Sequence, residues 1–266
     1  MPNRKEYRPP PRNRARGPAR PRGYARPAAD GPVLLYGWHS VKAALENPER
    51  EILAIYGTEN ALRRLREEGL ALPVEPHLVR PDAIAARLTP DAVHQGILAE
   101  ANPLPEKDLG DLQDARLVLV LDQVTDPHNV GAMLRSASAF AVDAIVTTAR
   151  HSPAATGVLA KAASGALEHV PIVSVQNLAR GLQALKDQGY QVVGLDSEAA
   201  DDLADAPLRA PLAVVLGAEG KGLRQLTRET CDTLARLDLP GAIKSLNVSN
   251  AAALTLYIAT RALRES

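Results

Sequence analysis

Leu117-Val118-Leu119-Val120-Leu121 runs into Asp122-Gln123-Val124-Thr125-Asp126-Pro127-His128-Asn129-Val130-Gly131, and the break between the two decides the fold. Five aliphatics in a row, with no polar alternation, read as a strand buried on both faces. The polar loop then opens a helical pattern over 129–140. Similar apolar runs occur at 144–146, 170–173, 191–195, 212–216 and 234–239. Helical patterns at 156–164, 178–188 and 223–229 lie between them. Strand alternating with helix predicts an α/β layer with a mainly parallel sheet. Ligands of such sheets sit beyond the carboxyl ends of the strands.

Three of those ends carry unusual chemistry. The first is the loop just quoted, whose helix also bears Arg135. Asn129 and Arg135 can approach one site if Asn129 sits at the loop–helix junction. The second is Gly217-Ala218-Glu219-Gly220-Lys221-Gly222, where a buried Glu219 would need a partner such as Arg135. Its spacing, G-x-x-G-x-G, is not the dinucleotide fingerprint. Lys221 is followed by Gly222, so it is no P-loop either. The third runs from Pro240-Gly241 through Ser245, Leu246 and Asn247 into the alanine-rich segment 251–253. Asn247 or Ser249 can cap that last helix, and its small residues admit a close neighbour.

The rest of the chain sets bounds. Of 266 residues, 45% are hydrophobic and only 3% aromatic, so a bank of stacking rings is not the main route to nucleic acid. Cys231 is the sole cysteine, which excludes an internal disulfide and any multi-cysteine metal centre. No apolar run approaches the roughly 18 residues of a membrane span, and no secretory signal opens the chain. A cytoplasmic protein without metal is expected. The net charge of zero hides a division: residues 1–30 hold nine Arg/Lys against two Asp/Glu, leaving the remainder acidic. With seven prolines and few large aliphatics, 1–30 reads as a disordered basic tail suited to a polyanion such as RNA.

Residues 31–101 read as a small α/β domain. Residues 36–40 lead into a helical pattern with Val41, Ala44 and Leu45 on one face that Pro48 ends, further helices are expected at 59–69 and 82–88, and strands at 52–56 and 94–99, the latter opening on His94-Gln95-Gly96. It shows no catalytic constellation. Residues 102–115, with Pro103 and Pro105, read as a linker to the second domain at 116–266.

Three motifs in one order resemble a known family. Asp126-Pro127-His128-Asn129-Val130-Gly131-Ala132 with Leu134-Arg135-Ser136-Ala137 is similar to the first motif of the SpoU/TrmH branch of the SPOUT RNA methyltransferases. Leu216-Gly217-Ala218-Glu219-Gly220-Lys221-Gly222 is similar to the second, and Pro240-Gly241 with Ser245-Leu246-Asn247-Val248-Ser249 and Ala251 to the third. The first domain, closing on His94-Gln95-Gly96, resembles the family's small RNA-binding domain. Within the family the likeness is nearest to bacterial enzymes that methylate the 2′-hydroxyl of a guanosine in 23S ribosomal RNA.

The resemblance implies a trefoil knot near the C-terminus, a homodimer with its site near the interface, and S-adenosyl-L-methionine as cofactor. Carried over by motif, cofactor contacts fall on Gly217, Leu237 and Leu246, with Leu216 and Leu239 nearby. The catalytic group falls on Asn129, Arg135, Glu219, Ser245 and Asn247. Leu237-Asp238-Leu239 departs from the Ile-Pro-Met common in the family, at the edge of the adenine pocket. A guanidinium stays protonated, its pKa being above about 12. Arg135 is therefore expected to grip a phosphate and stabilise charge on the 2′-oxygen. His128 is the rival base. Transfer RNA as substrate, or an RNA-binding protein without catalysis, are the alternatives. A nicotinamide oxidoreductase is a weaker rival because the glycine spacing is wrong.

Overall fold

The computed structural model describes residues 31–90, 92–149, 159 and 162–265. The basic tail of 1–30 and most of the helix expected at 156–164 lie outside the described residues. From Pro32 on, the chain forms one compact unit holding two sheets.

The smaller sheet has four strands in the order β1-β4-β2-β3: β1 (Val33–Tyr36), β2 (Ile52–Gly57), β3 (His77–Leu78) and β4 (Ile97–Ala101). β4 runs antiparallel to β1 and β2, while β3 joins the edge parallel to β2. Helices α1 (Trp38–Glu46) and α2 (Glu59–Glu67) pack Trp38, Val41, Ala44, Leu62 and Leu65 against Ile55 and Ile97. A short α3 (Pro81–Ala85) covers Tyr36 and Leu98 with Ile84.

The last strand begins at Ile97 rather than at His94, as the apolar pattern suggested. Gln95 and Gly96 have φ of 55° and 77°, a turn conformation no strand accommodates. The turn instead closes the front of α1: the Gln95 Oε1 accepts from the Trp38 N–H at 2.9 Å.

The larger sheet has seven strands, all parallel where they pair, in the order β7-β6-β5-β10-β8-β11-β9. They are β5 (Leu117–Asp122), β6 (Ala144–Thr148), β7 (Ile172–Val175), β8 (Gln191–Leu195), β9 (Asp201–Asp202), β10 (Leu212–Gly217) and β11 (Thr233–Arg236). Every residue of β5 and β6 is buried, as the uninterrupted apolar runs require. Helices α4 (Pro127–Ala139) and α7 (Val248–Glu265) cover one face, packing Leu134 and Ala137 with Leu256 and Ala259 against Leu119 and Val214. Helix α5 (Leu178–Asp187) covers the other face with Leu178, Leu182 and Leu185 on Val118, Val120 and Val215. A short α6 (Gln225–Thr230) lies beside α5.

The chain fills the sheet from the middle outward, then returns. β10 enters between β5 and β8, and α7 comes back from the far side of the sheet to pack on α4. A knot of the kind the resemblance implies requires such a path. β11 stops at Arg236, three residues before the apolar pattern does, because its ladders to β8 and β9 end there. Leu237 and Leu239 therefore belong to a loop.

The two sheets are bound by a buried ion pair. Arg50 Nε and NH2 donate to the Glu168 carboxylate at 3.0 and 2.7 Å, and Asn47 Nδ2 adds a third bond at 2.9 Å. The two charged side chains are only 6% and 2% exposed. Arg50 NH1 also donates to the Asn102 carbonyl, pinning the segment between the sheets.

Candidate active site

The parallel register of β5 and β10 pairs Asp122 with Gly217, so both strands end at one level. Asp122 is the last ladder residue of β5, and its carboxylate is fully buried. It accepts from the main-chain N–H of Arg224 at 3.0 Å and from Arg224 Nε at 2.7 Å. The end of the first motif's strand thus holds the far side of the second motif's turn. A buried carboxylate persists only with such partners.

Between these anchors the glycine turn is tight. The Gly222 N–H donates to the Ala218 carbonyl at 2.9 Å, and Gly220 and Gly222 take φ of 73° and 63°. A Cβ on Gly217 would lie 2.1 Å from the Gly222 carbonyl carbon and 2.4 Å from the Leu223 nitrogen. The G-x-x-G-x-G spacing is therefore a requirement of chain geometry: one glycine allows close passage and two allow left-handed backbone.

The first and third motifs meet through side chains. Asp126 caps α4, its Oδ1 accepting from the His128 N–H at 3.0 Å and its Oδ2 from Asn129 Nδ2 at 3.2 Å. Asn129 Oδ1 then accepts from Asn247 Nδ2 at 3.1 Å. Asn247 Oδ1 accepts from the Ser249 N–H at 2.9 Å and its hydroxyl at 2.6 Å, capping α7. An Asp–Asn–Asn–Ser chain so ties together the N-termini of a 13-residue and an 18-residue helix. Two helix N-termini side by side favour an anion or a developing negative oxygen there.

The third loop is irregular. Its Lys244 Nζ donates to the Leu239 carbonyl at 2.6 Å. From Leu237 to Leu246 the main chain forms no backbone–backbone hydrogen bond with described residues. Leu237 packs partly into the core, while Ile243 is 77% exposed and Leu246 lies at the surface.

Of the residues singled out in the sequence, Asn129 and Asn247 are in direct contact, and Leu216 and Gly217 stand at the sheet edge beside Asp122. Arg135, Glu219 and Ser245 are exposed. Glu219 therefore has no need of the Arg135 partner that a buried carboxylate would require. Asn129 is the third residue of α4, and six residues on, at about 100° each, Arg135 stands about 120° away from it round the helix axis. Arg135 makes no hydrogen bond or ion pair with a described residue, which leaves its guanidinium fork free for a ligand. Asp122 and Arg224 were not among the expected site residues. Their signal was a charge closing an otherwise unbroken aliphatic run.

Polar loops gathered at the carboxyl edge of a parallel sheet, with a tight glycine turn among them, define the ligand site of an α/β fold. A sequence profile described as the SpoU rRNA Methylase family matches residues 116–257. A second, described as RNA 2'-O ribose methyltransferase substrate binding, matches residues 34–107. The 23S rRNA (guanosine-2'-O-)-methyltransferase RlmB of Vibrio vulnificus (strain CMCP6) is 39% identical over 243 residues, covering 86% of this chain and 96% of its own length. A crystal structure of an RNA 2'-O ribose methyltransferase superposes with a TM-score of 0.71 at 26% identity, over 88% of this chain and 90% of the other. The SpoU methyltransferase AviRb of Streptomyces viridochromogenes, solved in complex with AdoMet, superposes with a TM-score of 0.72 at 23% identity, over 87% and 90%. This chain belongs to the SpoU rRNA methylase family.

Proposed function

We propose that the chain methylates the ribose 2′-hydroxyl of a guanosine in 23S ribosomal RNA, with S-adenosyl-L-methionine as methyl donor. The observation that carries this reading is the Asn129–Asn247 bridge, which joins the N-termini of two helices, one of them following the strand whose last residue pairs with Gly217. Its ribosomal substrate is drawn from relatives alike over nearly their whole length.

The loop fits an adenosyl group by its donor set. An adenine ring needs matched donors and acceptors, and residues 237–246 carry main-chain groups with no backbone partner among the described residues. Leu216, Gly217, Leu237, Leu239 and Leu246 are the residues that would hold the adenosyl group. Leu237 and Leu239 replace Ile and Met while Asp238 replaces Pro, a change that main-chain contacts to the ring would survive but that makes the edge of the pocket more polar. When bound, the cofactor would supply a sulfonium methyl as electrophile for the ribose oxygen, its sulfur keeping the electron pair of the broken carbon–sulfur bond and the hydroxyl proton passing to water.

The protein's part is alignment and charge. Asn129 and Asn247 fix the relation of the first and third motifs, so the ribose meets a preorganised surface. Arg135 holds a phosphate and the growing charge on the 2′-oxygen and Ser245 positions the sugar, while Glu219, exposed and not bonded to Arg135 within one chain, would orient it only across a second copy. Because Arg135 faces away from Asn129 within one chain, a second copy is invoked to complete the site. Leu254 and Tyr257, exposed three residues apart on α7, together with Ile243, supply an apolar face for such a homodimer. Among described residues no helix is long and apolar enough to cross a membrane, and the proposed place of action is the cytoplasm.

The test is methyl transfer to 23S rRNA and tRNA transcripts by the wild-type chain, Arg135→Ala and His128→Ala. Arg135→Ala should lose turnover while calorimetry still detects cofactor binding. His128→Ala should retain it. Transfer by Arg135→Ala at near wild-type rate would refute the assignment, transfer to tRNA alone would move the substrate, and no transfer by the wild type would leave an RNA-binding protein.

A further inference from the structure

The four-stranded sheet carries, at its β3 edge, a row of groups the catalytic reading does not use. Parallel pairing sets His77 beside Tyr56 on one face of the sheet. Their rings stack, with centroids 5.1 Å apart and planes at 21°. The Arg87 guanidinium lies 4.0 Å from the Tyr56 centroid. Because β3 is the edge strand, no further strand stands beside the His77 face turned away from Tyr56, and His77 is exposed.

We infer that this row, Arg87–Tyr56–His77, is the surface on which unpaired nucleotides of the RNA substrate stack; the inference rests on reading the chain as an RNA methyltransferase. A base has an exposed π-face only where it is unpaired, and it stacks on an aromatic or guanidinium plane. The chain has few rings to offer. Among described residues, Tyr36 and Tyr190 are buried, and Tyr56–His77 is the one parallel ring pair.

Arg80, just beyond β3, places a second cation along the same edge. Arg80 is paired with Asp82 at 3.2 Å and Arg87 with Glu100 at 2.9 Å. Exposed pairs of this kind contribute about 1 kcal/mol or less, so an RNA phosphate can displace the carboxylates. The bland alternative is that the row merely closes the rim of the small cluster of Tyr36, Ile84 and Leu98. That role would not depend on the outer face of His77.

The experiment compares the full wild-type chain with His77→Ala, His77→Phe and Arg87→Ala. Binding to a 23S rRNA transcript and to a fully paired RNA duplex is measured, with cofactor binding and Tm in parallel. His77→Ala should weaken transcript binding by about 5- to 150-fold, the range of one lost base stack. His77→Phe should restore it, Arg87→Ala should weaken it, and duplex binding, cofactor affinity and Tm should stay unchanged. Transcript binding by His77→Ala within about twofold of wild type, on that same scale, would overturn the inference. So would a loss that tracks a lower Tm and is not rescued by phenylalanine. His77-dependent binding in a wild-type chain that transfers no methyl group would sink the enzymatic reading and leave this surface standing.

Discussion

Replacing Asp122 with Asn tests whether the first motif's strand holds the second motif's turn. The carboxylate is fully buried and takes two donors from Arg224, at 3.0 and 2.7 Å. An amide offers only one acceptor atom, so whichever way it sits, its Nδ2 meets an N–H. One charge-assisted bond, worth about 1.5–3 kcal/mol, is lost, and a buried donor left unmet costs about 1–3 kcal/mol more. A loss of about 2.5–6 kcal/mol is therefore expected, and for a chain of this size each 1 kcal/mol lowers Tm by about 2–4 °C. The drop in Tm should be about 5–24 °C. Arg224→Ala should cost about 3–5 kcal/mol for a different reason: it leaves the carboxylate buried beside a single N–H. The guanidinium itself, 44% exposed, is solvated without its partner. Both variants should bind S-adenosyl-L-methionine more weakly in calorimetry, since the turn at Gly217 is released. A shift in Tm below about 2 °C for Asp122→Asn, equivalent to 1 kcal/mol or less, would show that the turn is held by other means.

Arg50→Ala should strand the Glu168 carboxylate in the seam between the sheets, costing about 3–5 kcal/mol; limited proteolysis should then cut faster near residue 102, and unchanged cleavage would count against a lock there. Gly217→Ala sets the added carbon within 2.4 Å of the Gly222–Leu223 backbone, so at least about 1–3 kcal/mol of overpacking is expected, with weaker cofactor binding; wild-type Tm and affinity in that variant would contradict the close passage described. Burial pushes the Cys231 thiol up to about 12, with Asp232 adding to the effect, against about 8.5 in an unfolded chain. The unfolded state loses its proton first, so this contribution is complete below about pH 8.5 and is lost as pH rises toward 12. Urea midpoints should accordingly fall more steeply above pH ~8.5 in wild type than in Cys231→Ser; parallel curves would refute the buried thiol.

The larger sheet was legible because strands buried on both faces leave an unmistakable aliphatic run, as at β5, β8 and β10. Where pairing rather than composition sets the limit, the sequence misleads. Leu237 and Leu239 extend an apolar pattern past Arg236, but no neighbouring strand continues the ladder. β1, β3 and β9 are short or irregular in pattern and were not expected at all. At the site, motif order singled out loops that the structure brings into contact, yet the Asn129–Asn247 contact joins residues far apart in the chain and has no local signature. Asp122 read as the first residue of a polar loop, whereas the register makes it the last of a strand with its carboxylate turned inward.

The position of β10 between β5 and β8 has a consequence for biosynthesis. As the chain leaves the ribosome, β5 to β8 emerge with no strand available to join the two halves, and both flanks of the gap expose main-chain groups and aliphatic side chains. The sheet closes only when residues 212–217 appear, after all of its strands but β11, and α7 must still fold back afterwards. Until then the nascent protein carries two open strand edges, the state in which a chaperone would be of most use.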